Sequence, residues 1–342
     1  MTGTAALLDP WLDAVPPSAV DRLRLARSVL VVSHENPDAD TLGAALALRV
    51  IVEAGGGRAA LVCTDVPPPL YAFLPGIEAF RTDPEADRAY DLAILVDCGS
   101  LERVGDLRER HADLFERLPT MVIDHHASNG AAGPFDWVDP RAAATCELVA
   151  LLATALGISL GAADGDLATA LMAGIVMDTA TFAHPNATPR TLAVSAALVA
   201  AGAPLSEISN RLYRTKPDVQ LRLFGRVLDR LQSTAGGLVI HATLLASDVT
   251  ETGALSAHSE GIIDLLSQSE AAEVAILFKE APEATRISVR TKPGGVDATV
   301  LTGLFGGGGH ARAAGASIAA PVAAARERVL PEAERLAAAV RR

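Results

Sequence analysis

From residue 28 onward the chain alternates short, unbroken apolar runs with longer helical stretches. SVLVVS, RAALVC, LAILVD and TMVIDH have strand length and carry no regular polar positions, the pattern of strands buried on both faces. Strands alternating with helices predict a mainly parallel sheet flanked by helices over residues 28 to about 125. From roughly 142 to 232 the pattern becomes helical and Ala-rich, punctuated by Gly157, Gly174, Gly202 and several prolines. PDVQLRLFGRVLDRLQS reads as an amphipathic connecting helix, and TAGG after it as a break. Beyond it LVIHATLL, EVAILFKE and TRISVRTK predict strands of a second, smaller α+β domain. The expected organisation is therefore α/β, with a first domain over 1–213, a linker helix over 214–235 and a second domain over 236–342.

Composition narrows the classes of function. The 342 residues are half apolar and 4% aromatic, ample for a large core and two domains. With 41 Asp and Glu against 29 Lys and Arg, the formal charge of -12 gives a field that repels long polyanions. No long nucleic acid is expected as a partner. Cys63, Cys98 and Cys146 are far apart and form no CxxC pair, which argues against a zinc knuckle or a disulfide framework and suits a reducing compartment. The N-terminus lacks a basic segment before an apolar one, and runs such as LVALLATALGISLGAA fall short of a membrane span. A cytoplasmic protein without a membrane partner is the expectation.

The chemistry is concentrated where the apolar runs end. His34, Asp38 and Asp40 follow the first strand, Asp97 ends the third, Asp124, His125 and His126 end the fourth, and Asp178 interrupts the apolar stretch LATALMAGIVMDTATF. Taken singly these are ordinary turn and cap residues: Asp40 could cap the helix that begins at Thr41, and Asp38 could make a turn after Pro37. Together they are not ordinary, because the carboxyl ends of parallel strands converge on one site. His34, Asp38, Asp40, Asp97, His125 and Asp178 offer nitrogen and oxygen ligands without a thiolate. That set suits Mn²⁺ or Mg²⁺ and is too large for one tetrahedral zinc, so two cations sharing a carboxylate account for it. Such a pair, typically ~3.5–4 Å apart, activates water and stabilises the attacking and leaving oxygens of a phosphoester.

A second constellation, FGGGGHARAAGA with RISVRTK, lies in the smaller domain. Consecutive glycines, Gly307, Gly308 and Gly309 among them, leave backbone N–H groups open to an anion. His310, Arg290, Ser288 and Arg312 supply polar or charged contacts to a terminal phosphate. The Ala-Ala-Gly that follows is expected to open a helix.

HENPDAD, LVDCGS, VIDHHAS and GIVMDTATF resemble, in order, the motifs of the DHH phosphoesterase superfamily, and GLFGGGGHARAAGA resembles the glycine-rich signature of its DHHA1 domain. Order and spacing fit the oligoribonuclease and 3′-phosphoadenosine 5′-phosphate (pAp) phosphatase branch over nearly the whole chain. The resemblance implies a DHH domain carrying the metals and a DHHA1 domain carrying the substrate. One cation would be held by His34, Asp38 and Asp97, and the other by Asp40, Asp97, His125 and Asp178. His126 would face the scissile phosphate and Asp124 would orient a ligand histidine. Implied substrates are very short oligonucleotides and pAp, with Mn²⁺ as the cofactor in preference to Mg²⁺. Two departures stand out. Ala44 occupies a position where serine is common, and Ala180-Thr181-Phe182-Ala183 stands where many relatives read Gly-Ser-Phe-Arg. The absent arginine leaves His184 or Arg190 as its replacement.

Within the same class, a cyclic-dinucleotide phosphodiesterase differs only in its pocket. A RecJ-type exonuclease would bring a further nucleic-acid-binding domain or a basic tract, and an inorganic pyrophosphatase a different second domain. A catalytically inactive nucleotide sensor would have lost a metal ligand, and here each one is present. The sequence leaves oligomeric state open, a homodimer included.

Overall fold

The structure, a computed structural model, describes residues 7–340 other than 87, 100 and 132. It divides into two compact units, between Thr215 and Lys216.

In the first unit, the apolar runs form β1 (Ser28–Ser33), β2 (Arg58–Val62), β4 (Leu92–Val96) and β5 (Thr120–Asp124), joined at the edges by the two-residue strands β3 (Phe80–Arg81) and β6 (Trp137–Val138). Every pairing is parallel and the order is β3-β2-β1-β4-β5-β6. This is the expected α/β layer. The chain moves outward from β1 to β2 and β3, then returns to place β4 on the other side of β1. Strand order therefore reverses between β1 and β4, the point at which parallel sheets open a crevice at their carboxyl ends. His34 and Asp97 stand at those two ends.

The helix Ala39–Ala54 follows β1 directly, and its residues 39–48 are all buried. It is apolar on nearly every side because it lies between the sheet and a layer of helices. Its closest neighbour is the helix Asp166–Asp178, and glycine permits the approach: a Cβ on Gly43 would lie 2.3 Å from the Ala170 carbonyl oxygen. The Ala-rich remainder forms the helices Thr145–Ala155, Pro189–Ala200 and Leu205–Ser209, followed by the π-helical turn Asn210–Arg214. Among the described residues, no single helix is long and apolar enough to cross a membrane.

The second unit holds β7 (Gln232–Thr234), β8 (Val239–Leu244), β9 (Val274–Ala281), β10 (Ala284–Thr291), β11 (Gly308–His310) and β12 (Ala313–Ile318), in the order β11-β12-β10-β9-β8-β7. Only β8 and β9 pair in parallel. Strand alternation gives two apolar faces. Val239, Val274, Ile276 and Phe278 pack under Ala325, Val329, Ala333 and Ala337 of the C-terminal helix Val322–Val340. Ile240, Ala242, Leu244 and Leu277 pack with Leu223 and Val227. The latter two belong to the helix Asp218–Asp229, so the stretch expected to connect the domains buries its apolar stripe in the second one.

The expectation of a helix at Ala-Ala-Gly does not hold: residues 313–318 are β12, paired with β10 on one side and with the glycine strand β11 on the other. The reason is close backbone packing. A Cβ at Gly307 would sit 2.2 Å from the Gly315 carbonyl oxygen, and one at Gly309, whose φ is 140°, would sit 2.6 Å from that of Ala313. Glycines facing alanines and a glycine let the two strands pair where larger residues would hold them apart.

Candidate metal centre

His34 is carried past the end of β1, almost fully buried. Its Nδ1 lies 2.7 Å from the Glu35 carbonyl oxygen, which fixes the tautomer by accepting the Nδ1 proton. Nε2 is left with its lone pair, buried and without a hydrogen-bond partner, 3.5 Å from Asp97 Oδ2 and 3.9 Å from Asp38 Oδ1. Asp38 caps the helix Ala39–Ala54, its Oδ1 accepting from the N–H groups of Asp40 and Thr41 at 2.9 and 3.2 Å. The cap is thus Asp38, read from the sequence as a turn residue, and not Asp40, which sits inside the first turn.

Asp40 is fully buried, and its carboxylate meets the opening of another helix: Thr145 N donates to Oδ2 at 2.6 Å and Cys146 N to Oδ1 at 2.9 Å. Free N–H groups and the positive end of the helix dipole stabilise a carboxylate there. Room for it comes from Gly174, where a Cβ would fall 2.4 Å from Asp40 Oδ1.

Asp97 leaves β4 in a left-handed conformation, with φ of 58°, which costs a non-glycine residue energy and is common where a site dictates the backbone. Its two oxygens face different ways. Oδ2 is the atom near His34, whereas Oδ1 lies 3.4 Å from His125 Nε2 and 3.5 Å from His126 Nδ1, and accepts from Thr145 Oγ1 at 3.0 Å. His125 Nε2 is also 3.1 Å from Asp178 Oδ2 and 4.0 Å from Asp40 Oδ2. Asp124 lies behind His126. Its Oδ1 accepts from His125 N, His126 N and His126 Nδ1, and its Oδ2 from Asn129 Nδ2 at 2.6 Å. Its side-chain contact is with His126 rather than with His125.

The electrostatics are those of a site crowded with anions. Burial first, then Asp97 and Asp178, pushes the Asp40 carboxyl well above its ordinary value, and burial and Asp97 raise Asp38 as well. Burial likewise pushes Asp178 up to about 6, against the hydrogen bond from His125. Asp97 is as buried, but the two histidines beside it, His125 foremost and then His34, outweigh that and hold it below the usual carboxylate range. Burial alone would lower His125, yet the surrounding carboxylates, Asp178 and Asp97 foremost, push it up to about 12. Histidine protons do here what cations do better.

Ligand atoms gather into three groups: His34, Asp38 and Asp97; Asp40, His125 and Asp178; and Asp97, His125 and His126. The unpartnered His34 nitrogen, the cradle that Gly174 leaves for Asp40 and a donor set without thiolate fit hard or borderline divalent cations. Cys146 is close, its Sγ 3.4 Å from the Asp40 carbonyl oxygen, but burial and Asp40 raise its thiol well above the ordinary value, so it stays neutral.

Of the two candidate replacements for the absent arginine, Arg190 is excluded by its partners. It is buried, bonded to Glu147 and, at 2.8 Å, to Asp139. His184 is exposed, with Nδ1 3.2 Å from the Asp178 carbonyl oxygen.

In the second unit, Arg290 and His310 both stand opposite Ala313, from β10 and β11, and Ser288 opposite Gly315. Ile287 and Val289 are buried in the core, so Ser288 and Arg290 occupy the other face of β10. The Arg290 guanidinium is paired with Asp264 at 2.9 Å. Gly306 and Gly307 direct their N–H groups to the carbonyls of Gly303 and Thr302. Gly308 and Gly309 lie in β11.

Sequence reasoning overlooked Thr145, Asn129, Asn186 and Tyr213. Thr145 carried a signal, a hydroxyl opening a helix after three alanines. The others act from loops and turns: Asn129 also reaches the Cys98 carbonyl, Asn186 that of Ala143 and Tyr213 that of Met177, each more than 30 positions away.

Residues 28–175 match the DHH family, N-terminal domain, and residues 226–339 match the DHHA1 domain. The bifunctional oligoribonuclease and PAP phosphatase NrnA of Thermus thermophilus is 31% identical over 314 residues, covering 90% of this chain and 91% of that one. The protein of the same name from Bacillus subtilis is 27% identical, covering 86% and 91%. Among solved structures, an exopolyphosphatase-related protein from Bacteroides fragilis shares the fold, with a TM-score of 0.84 at 20% identity over 96% of this chain and 99% of that one.

Proposed function

Since the chain belongs to the DHH–DHHA1 phosphoesterase family, in its oligoribonuclease and pAp-phosphatase branch, and is a hydrolase of phosphoester bonds, we propose that it uses two divalent cations, Mn²⁺ by preference, to release mononucleotides from very short oligonucleotides and to convert pAp to AMP. The observation that carries this reading is the division of the Asp97 carboxylate, one oxygen toward His34 and the other toward His125. A bridging ligand needs that arrangement.

In this reading His34, Asp38 and Asp97 hold one cation, and Asp40, Asp97, His125 and Asp178 hold the other. When bound, the cations supply Lewis acidity and neutralise the charge of the phosphoryl group. The chain's own residues do the rest. Thr145 holds Asp97 Oδ1, and the two N–H groups at the start of its helix hold Asp40, so that both carboxylates are aimed before any ligand arrives. Asp124 accepts a hydrogen bond from His126 Nδ1 and fixes the ring, so that Nε2 meets the scissile phosphate. Arg290, His310, Ser288 and the glycines Gly307, Gly308 and Gly309 contact the substrate's terminal phosphate. Asp264 holds Arg290 until a phosphate takes its place.

Turnover of pAp, linear dinucleotides, cyclic dinucleotides and a 24-mer RNA, with Mn²⁺ supplied, tests the assignment. Dinucleotides and pAp should be the best substrates. Preference for the cyclic compounds, or for the long RNA, would overturn it.

A further inference from the structure

The helix that carries Asp178 runs into a turn that L-residues adopt reluctantly: Ala180, Thr181 and Phe182 have φ of 48°, 57° and 63°. Each left-handed residue of this kind costs roughly 1–2 kcal/mol, and such a run persists only where its surroundings fix it. Asn186, from the loop beyond, donates to the carbonyls of Ala143 and Asp178 at 3.1 and 3.2 Å. A second restraint comes from the π-helical turn Asn210–Arg214, a geometry frequent at functional sites. Its Tyr213 hydroxyl donates to the Met177 carbonyl at 2.6 Å, and Ser209 Oγ, just before it, lies 3.0 Å from Thr181 Oγ1.

The Met177 carbonyl belongs to the peptide unit whose nitrogen is that of Asp178. Holding its oxygen fixes the plane of that peptide and so the direction in which the Asp178 side chain departs. Tyr213 is 39% exposed, and its hydroxyl end is the part that reaches this turn. Burial, followed by the charges of Asp178 and Asp38, pushes the phenol up to about 12, so it remains a donor and lies beside the carboxylates of the centre.

We propose that Tyr213 is a positioning residue for the cation site of Asp40, His125 and Asp178, acting through the Met177–Asp178 peptide. This rests on the metal-centre reading above.

Tyr213→Phe keeps the ring and removes the donor. Calorimetric titration of Mn²⁺ into the metal-free full-length chain should show two binding events for the wild type. In the variant one of them should weaken about tenfold or more, the range found when a residue that orients a ligand is lost, while the other is unchanged. The urea midpoint of the metal-free variant should fall only as far as one lost hydrogen bond requires, and turnover of pAp should recover with excess Mn²⁺ at an unaltered KM. Ser209→Ala, which breaks only the hydroxyl pair, should weaken the same event by less. Two unchanged affinities in Tyr213→Phe, or two affinities lowered equally together with the urea midpoint, would overturn the positioning role. Failure of the wild type to bind Mn²⁺ would overturn the metal-centre reading and this inference with it.

Discussion

Asp97 combines burial, a left-handed backbone and contacts from both of its oxygens to separate groups. No other residue of the centre does this, so its loss should be felt at both cation sites. Asp97→Asn is expected to keep the fold, weaken both Mn²⁺ binding events and lower kcat roughly 10³-fold or more, the scale on which loss of one electrostatic stabiliser acts. Calorimetry and steady-state kinetics on pAp would show it, and near-normal turnover would exclude the bridge. Ala180 offers a converse test. It holds a left-handed backbone, with φ of 48°, that glycine adopts without strain. Ala180→Gly should therefore raise the unfolding free energy of the metal-free protein by about 1 kcal/mol, the strain outweighing the extra freedom of the unfolded glycine. Urea denaturation decides the sign.

At the level of elements, the centre depends on how closely two helices approach. Gly174 abuts Asp40 Oδ1 and Cys146 Sγ, each 2.4 Å from where a Cβ would stand. Gly174→Ala must move a buried carboxylate or part the helices, and overpacking of this sort costs about 1–3 kcal/mol. Thermal unfolding should show that loss, with weaker Mn²⁺ binding at the Asp40 site. In the second unit, β8 carries His241, 2% exposed and edge-on to Phe278 at a centroid distance of 6.0 Å. Burial, followed by the Arg326 charge and against that of Glu334, depresses its pKa from 6.5 to about 4. Between those values the unfolded chain binds a proton that the folded one does not, so this group's contribution is intact above about pH 6.5 and is lost as pH falls toward 4. The loss is on the order of 3 kcal/mol. His241→Leu removes it, and the stability of the wild type relative to this variant should fall by that amount between pH 7 and pH 4. A difference that does not change with pH would show that His241 does not titrate in this range.

For the whole molecule, the charge of -12 decides what kind of substrate can be held. A long single strand would meet repulsion at each added phosphate without a basic track to offset it. Binding concentrated on a terminal phosphate should give efficiency that falls beyond about two to five nucleotides and a shallow dependence on salt, whereas a track would give a slope of about -0.7 per phosphate neutralised. Kinetics on 2-mer to 24-mer RNA at two salt concentrations separate these cases. Equal efficiency on the 24-mer with a steep salt slope would place the enzyme among processive exonucleases.

Several features of this protein were determined by the order of residues alone. Apolar runs of strand length that alternate with helical stretches read as strands buried on both faces, which placed β1, β2, β4 and β5 to within a residue or so. A charged residue at the end of one such run is an ordinary turn or cap residue, but several at converging strand ends made His34, Asp97 and His125 candidates, and the structure groups them with Asp38, Asp40 and Asp178. Tertiary structure decided what depends on partners distant in sequence. The strands β3 and β6 have two residues each, too few to show a period, and form only because a neighbouring strand offers its free edge. Ala313–Ile318 has the composition of a helix start and becomes a strand because the glycines of β11 can lie against it. Arg190 looked available to a nucleotide and is instead consumed by Glu147 and Asp139. Which oxygen of Asp97 faces which histidine, and which carbonyl Tyr213 holds, follow from packing across the fold, since no local pattern encodes a distance between residues so far apart in the chain.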